Sequence, residues 1–223
     1  MRRFLFLIVS VLSSLSMPFV HAEDLNKKVV FEDKSAITEI HFGNSKSKNQ
    51  IEIYVSPSCL HCGKFVVEDV EDFIKDHGDE ASVILKFLPT SAKDIFIMKL
   101  IQHEAHDEFS YFGIYKNYIK RTLATINYIK PTKEQKKLFK GSQSDPEMIK
   151  FQTVASEFGF SDKKITEAYP DPEMTSPFER TVMLAYSKRV KAISKLLDSK
   201  ELDLPLVVKD GKAFKSLKGI LKN

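Results

Sequence analysis

The period of apolar and polar positions switches between two and nearly four along this chain, and each switch marks an element. Ala36 to Phe42 alternates, Gly43 to Gln50 is polar with Lys46 and Lys48, and Ile51-Glu52-Ile53-Tyr54-Val55 alternates again. This predicts strands joined by a turn within residues 29–55. Ser56-Pro57-Ser58 ends the strand, because proline brings no N–H to a ladder. From Leu60 to Lys75 the spacing becomes helical and buries Phe65, Val66, Val70, Phe73 and Ile74, with a stop near His77-Gly78 where glycine suits the residue just past a helix. Ala81 to Leu88 reads as a strong strand ended by Pro89.

Residues 93–198 read as helical throughout. Asp94 to His103 carries Ile95, Met98, Leu100 and Ile101. Glu108 to Leu123 is dense in aromatics, with Phe109, Tyr111, Phe112, Tyr115 and Tyr118 predicted to be core. Pro131, Gly141 and Pro146 punctuate the next stretch, and Ser161 is placed to cap a short helix through Ala168. A loop with Asp171-Pro172 and Pro177 precedes a long helix from Phe178 to Leu197. The chain then returns to β structure: Leu204 to Lys209 entered through Pro205, a two-residue turn at Asp210-Gly211, a return strand Ala213 to Ser216, and a last helix from Ser216 to Lys222. Strands interrupted by one long helical block predict an α/β sheet with an inserted all-helical subdomain at 93–198.

The first 22 residues stand apart from this pattern. Arg2 and Arg3 precede an apolar stretch from Phe4 to Leu15, and Val20-His21-Ala22 has the small or branched residues of a signal-peptidase site. The stretch is shorter than a bilayer span and interrupted by serines, so a cleaved export signal is expected at 1–22, with cleavage near Ala22. Without Arg2 and Arg3 the net charge of +4 falls to +2, too small and too evenly mixed with acids for a nucleic-acid partner. Lysines at Lys130, Lys133, Lys136, Lys137 and Lys140, and again from Lys209 to Lys222, read as solvated faces.

Export changes the meaning of the two cysteines, Cys59 and Cys62. In an oxidising compartment a pair usually staples a fold, but staples join distant segments, because long loops lose the most unfolded-state entropy. A bridge across two residues constrains almost nothing. Chemistry is the better explanation. Cys59 falls at a strand-to-helix junction, where the helix N-terminus supplies partial positive charge to a thiolate. Cys62, one turn inside, would be the buried resolving thiol, and His61 can stabilise the Cys59 thiolate by hydrogen bond or charge. Stabilising the reduced form makes the Cys59–Cys62 disulfide a strong oxidant. A metal site of Cys59, His61 and Cys62 is the competing reading, which implies a non-enzymatic metal chaperone. It lacks a second cysteine pair, and its nearest extra ligands, His103 and His106, lie on a polar helix face.

Pro205 is the second feature. If the Leu204–Pro205 bond is cis, the Leu204 backbone turns outward and can pair with an extended substrate chain; if trans, Pro205 is an ordinary strand-entry proline.

Ser-Pro-Ser-Cys-Leu-His-Cys, an export signal, a helical block and a late Leu-Pro before strand-turn-strand together resemble the bacterial DsbA-type thiol:disulfide oxidoreductases. The resemblance implies a thioredoxin-like fold split over 23–92 and 199–223, with the helical subdomain inserted between them. It implies Cys59 as nucleophile, His61 as thiolate stabiliser, Cys62 as resolving cysteine and Leu204-Pro205 as a cis-proline loop that binds substrate. It also implies a periplasmic dithiol oxidase acting on reduced exported proteins and reoxidised by a membrane quinone-linked protein, with isomerase or reductase as the alternative direction. No cofactor beyond the redox-active disulfide, no metal and a monomeric state are expected. The chain departs from the family pattern at Leu60, where proline is common, at Leu204, where Val or Thr is usual, and at Ile53, where a buried acid often stands.

Overall fold

A computed structural model describes residues 36–138, 146–197 and 202–222. The expected export signal at 1–22, the start of the region expected to hold the first strands (29–35), Gly141, Lys140 and the expected domain joint at 198–199 lie outside these residues. Five strands form one mixed sheet: β1 (Glu39–Gly43), β2 (Asn49–Val55), β3 (Ala81–Phe87), β4 (Leu206–Lys209) and β5 (Lys212–Phe214), in spatial order β1-β3-β2-β4-β5. Only β2 and β3 run parallel, joined by a helical crossover; β1, β4 and β5 pair antiparallel.

That crossover is one helical rod in three pieces: α1 (Leu60–Phe65), a π-turn (Val66–Val70) and α2 (Glu71–His77). The sequence period indicates the rod but not the widened turn inside it. Gly78 follows the last residue of α2 as expected and keeps right-handed helical angles (φ −60°). Its hydrogen side chain serves close approach. A Cβ on it would lie 2.6 Å from the Ile74 carbonyl oxygen, and a Cβ on Gly43 (φ +74°) would lie 2.7 Å from the carbonyl of Gly78 itself.

Period two sorts the sheet into two faces. Ile51, Ile53 and Val55 of β2 and Val83, Leu85 and Phe87 of β3 pair in register and point into the main core. Tyr54 and Leu206 point the other way, to a smaller core shared with Leu88 and Ile193. Ile193 belongs to α8 (Pro177–Leu196), which covers that second face.

The helical block consists of α3 (Ala92–Gln102), α4 (Glu108–Thr125), α5 (Lys133–Leu138), α6 (Pro146–Phe158), α7 (Asp162–Glu167) and α8. Its aromatics meet the sheet directly: the rings of Tyr111 and Tyr115 lie 5.6 and 5.2 Å from that of Phe87. Tyr111, Tyr115 and Tyr118 are buried as expected, but Phe109 is exposed, its ring edge-on to Phe42. It sits one residue after the first position of α4, on the side turned from the core.

Two further expectations change. The return strand ends at Phe214, and the expected terminal helix from Ser216 shrinks to a 3₁₀ turn at Ile220–Lys222. Lys209, grouped with the solvated lysines, is buried and donates to the Ile220 carbonyl at 2.9 Å. The strand's alternation turns it inward, and the terminal turn supplies an acceptor. Asp210 and Gly211 both have positive φ (50° and 71°), the pair of angles a tight two-residue hairpin demands.

Candidate active site

The site begins where β2 runs out. After Val55, Ser56 and Pro57 are buried, the chain turns, and the Cys59 N–H donates to the Ser56 carbonyl at 3.2 Å. Cys59 is the N-cap of α1, with extended angles (φ −74°, ψ 111°), and its sulfur takes the role a serine hydroxyl plays at an ordinary cap. The Cys62 N–H donates to the Cys59 sulfur at 3.2 Å. Cys59 is half-buried and Cys62 wholly buried, and both are free thiols.

This geometry separates two chemically identical groups. A hydrogen bond from the Cys62 thiol, then backbone N–H groups of Cys62 and His61 and the charge of His61, lower the Cys59 thiol from an ordinary 9.0 to about 6 against the opposing effect of burial. The same thiol–thiol bond, followed by burial and by the charges of Cys59 and Asp94, pushes Cys62 far up. One sulfur is ionised near neutral pH and reachable; its neighbour holds its proton out of solvent. The His61 side chain is exposed at the helix start.

The Leu204–Pro205 bond is cis. β4 pairs antiparallel with β2, Ile53 opposite Val207 and Tyr54 opposite Leu206. Continuing that register places Pro205 and Leu204 opposite Val55 and Ser56. The proline loop and the cysteine turn therefore lie at one end of the sheet, although Pro205 follows Cys62 by 143 positions. Leu204 is half-buried and touches both cores. At Ile53, the position compared with a buried acid, the side chain is wholly buried among apolar neighbours; Glu52 points to the other face, where it pairs with Lys86.

Two residues that sequence reading did not single out shape the site. Gly63 lies directly after Cys62, and a Cβ there would lie 2.6 Å from Cγ2 of Ile119. Glycine at this point lets α4 lie against the helix that carries the sulfurs. Asp94, read only as the start of a helix, is wholly buried and hydrogen-bonded to the cysteine turn. The Ser91-x-x-Asp94 spacing announces a capping box, but not that the carboxylate also reaches residues 56–58. Among the described residues, no group of three or more His, Cys, Asp or Glu side chains is arranged to hold a metal ion. No described helix is long and apolar enough to cross a membrane.

Comparison with known proteins adds family and fold. The family model described as Thioredoxin matches residues 35–157. Nothing matches among curated proteins. Two variants of alpha-DsbA1 from Wolbachia pipientis superpose with TM-scores of 0.53 and 0.52 at 14% and 16% identity, each comparison covering 82% of this chain and 87% of the other. DsbA from Chlamydia trachomatis gives a TM-score of 0.49 at 17% identity, covering 82% of this chain and 86% of the other. At such identities the Wolbachia likeness speaks for a shared fold.

Proposed function

The chain belongs to the thioredoxin family and has the DsbA-type fold, and on that footing we propose that it is a thiol:disulfide oxidoreductase working as a dithiol oxidase. The observation that carries this reading is the asymmetry of the sulfurs: Cys59 half-exposed at a helix N-cap with its thiol lowered to about 6, Cys62 buried with its thiol raised. A dithiol so held favours its reduced form, so its disulfide is readily given away.

The reaction runs from the Cys59–Cys62 disulfide. A substrate thiolate attacks Cys59, the reachable sulfur; the bond to Cys62 breaks, and Cys62 leaves and takes up a proton, as its raised thiol favours. Cys59 is now joined to the substrate. A second thiolate of the substrate attacks its own sulfur in that mixed disulfide and expels Cys59 as a thiolate, a good leaving group because it is stable unprotonated. Two electrons pass to the Cys59–Cys62 pair, the substrate gains a disulfide, and of its two thiol protons one resides on Cys62 and one goes to solvent.

In this reading His61 stabilises the Cys59 thiolate and the Leu204–Pro205 loop receives the substrate backbone. The substrates are reduced exported proteins, and the pair itself is the redox group, with no cofactor. The leader-like segment ending near Ala22 supports work in the periplasm, by a monomer reoxidised by a membrane quinone-linked protein.

Equilibration with glutathione buffers tests the direction. The oxidase reading expects the Cys59–Cys62 pair to be more oxidising than glutathione. A pair that stays oxidised in an excess of reduced glutathione would overturn it. Tight stoichiometric zinc or Cu(I) binding lost in Cys59→Ser, without disulfide exchange, would favour a metal chaperone instead.

A further inference from the structure

Asp94 joins two turns that are far apart in sequence. Its Oδ1 accepts from the Ser56 hydroxyl at 2.7 Å and from the Ser58 N–H at 2.6 Å, the two serines that flank Pro57 just before Cys59. Its Oδ2 accepts from the Thr90 N–H at 2.7 Å, the Ser91 N–H at 2.9 Å and both of their hydroxyls at 3.1 Å. The second set is an ordinary helix cap. The first set is not, since capping α3 requires nothing of residues 56–58. The side chain is wholly buried, so each oxygen is desolvated and needs the donors it has.

What it holds is the frame of the sulfur pair. The Ser56 carbonyl accepts the Cys59 N–H, and the Ser56 N–H is directed at the Cys62 sulfur. Both ends of Ser56 therefore touch the site while its hydroxyl is tied to Asp94. The titratable groups whose fields reach one sulfur or the other are His61 and the cysteines themselves on α1, Asp94 on α3 and Tyr115 on α4. Of these, Asp94 lies outside the cysteine pair and its side chain is hydrogen-bonded to residues 56 and 58 of the turn that leads into Cys59.

We infer that Asp94 is a positioning residue for the dithiol: by gripping Ser56 and Ser58 it fixes Cys59 at the cap of α1, within reach of the amides and of the Cys62 thiol. This rests on the oxidoreductase reading above and deepens it. Charged hydrogen bonds in a buried setting hold a turn more firmly than neutral ones. The sulfur position so fixed determines how fully the amide donors act on the thiolate.

Three variants test it, read by thiolate absorbance and by the pH profile of iodoacetamide alkylation at Cys59. Asp94→Ala should raise the Cys59 midpoint by about one pH unit, a tenfold loss of thiolate on the acid side. Ser56→Ala, which leaves the α3 cap intact, should raise it by about half a unit, a threefold loss. Thr90→Val removes a donor on the Oδ2 side only, and should leave the midpoint where it was. If Asp94→Ala does not fold, Ser56→Ala decides alone. Wild-type midpoints retained in both Asp94→Ala and Ser56→Ala, with lower melting temperatures, would make Asp94 a helix cap and overturn the inference. A wild-type thiol titrating near 9.0 would instead overturn the oxidoreductase reading itself, and this inference with it.

Discussion

Cys62 gives Cys59 two hydrogen bonds, one from its backbone N–H at 3.2 Å and one from its thiol. The thiol is the stronger influence on Cys59, ahead of the amides and of His61. The two donors can be separated by mutation, because only one belongs to the side chain. Cys62→Ala should therefore move the Cys59 titration upward from about 6, whereas Cys62→Ser, which keeps an O–H donor, should retain more of the depression. Thiolate absorbance against pH distinguishes them. Equal midpoints in the two variants would show that the amides and His61 suffice.

The same asymmetry makes stability depend on pH in a way only the reduced protein can show. Cys59 falls from 9.0 to about 6 on folding, so between those values the unfolded chain binds more protons and stability rises with pH. This contribution is complete above about 9 and lost as pH falls through 6. Cys62, raised by folding, acts in the opposite sense, but only above the ordinary thiol value. The melting temperature of the reduced protein should therefore climb relative to the oxidised one between about pH 6 and pH 9, the interval set by the Cys59 shift. A constant gap between the two forms would contradict the shift.

Gly63 sits where α1 and α4 touch. Adding a methyl there forces it against Cγ2 of Ile119, and overpacking of this kind costs about 1–3 kcal/mol. Gly63→Ala should lower the denaturation midpoint, and Gly63→Ala with Ile119→Ala should lose less than the two single changes together. Strict additivity in that double-mutant cycle would mean that the helices move apart at no cost.

How much of this could be read from the chain follows the range of the signals. The Cys59–Cys62 turn, the strand before it and the helix after it are local, and each has a period or a breaker that announces it. Leu204-Pro205 could be named as a candidate but not its isomer or its neighbours, because the strand it enters pairs with a segment about 150 positions earlier, Leu206 with Tyr54. Asp94 and Gly63 were missed for a related reason: a capping pattern or a glycine in a helix says nothing about which distant segment arrives beside it. Phe109 was misplaced because mixed aromatic spacing on α4 fixes a stripe only loosely, and one residue's rotation moves a ring from core to surface.

Arg189 shows the same limit on the opposite face of the sheet, and a pair of substitutions measures it. In the sequence it lies among Lys188 and Lys191 on a polar-looking stretch, yet on α8 it is buried against the sheet. One guanidinium nitrogen donates to the carbonyls of Phe87 and Thr38, at 2.6 and 2.8 Å, and the other to Glu39 at 2.9 Å and the Thr38 hydroxyl at 3.2 Å. The Glu39 side chain is 39% exposed, so the ion pair itself is partly screened and contributes little. The backbone carbonyls matter more, because the Phe87 acceptor is buried and loses its side-chain donor. Arg189→Met keeps the apolar stem and should cost about 1–3 kcal/mol through that lost donor. Arg189→Lys restores the charge but not the planar fork, and one ammonium cannot span both strands, so it should recover little of the loss. Denaturant midpoints for the two variants decide the point: full recovery in Arg189→Lys would assign the role to charge, and failure to recover assigns it to the fork that ties α8 to β1 and β3.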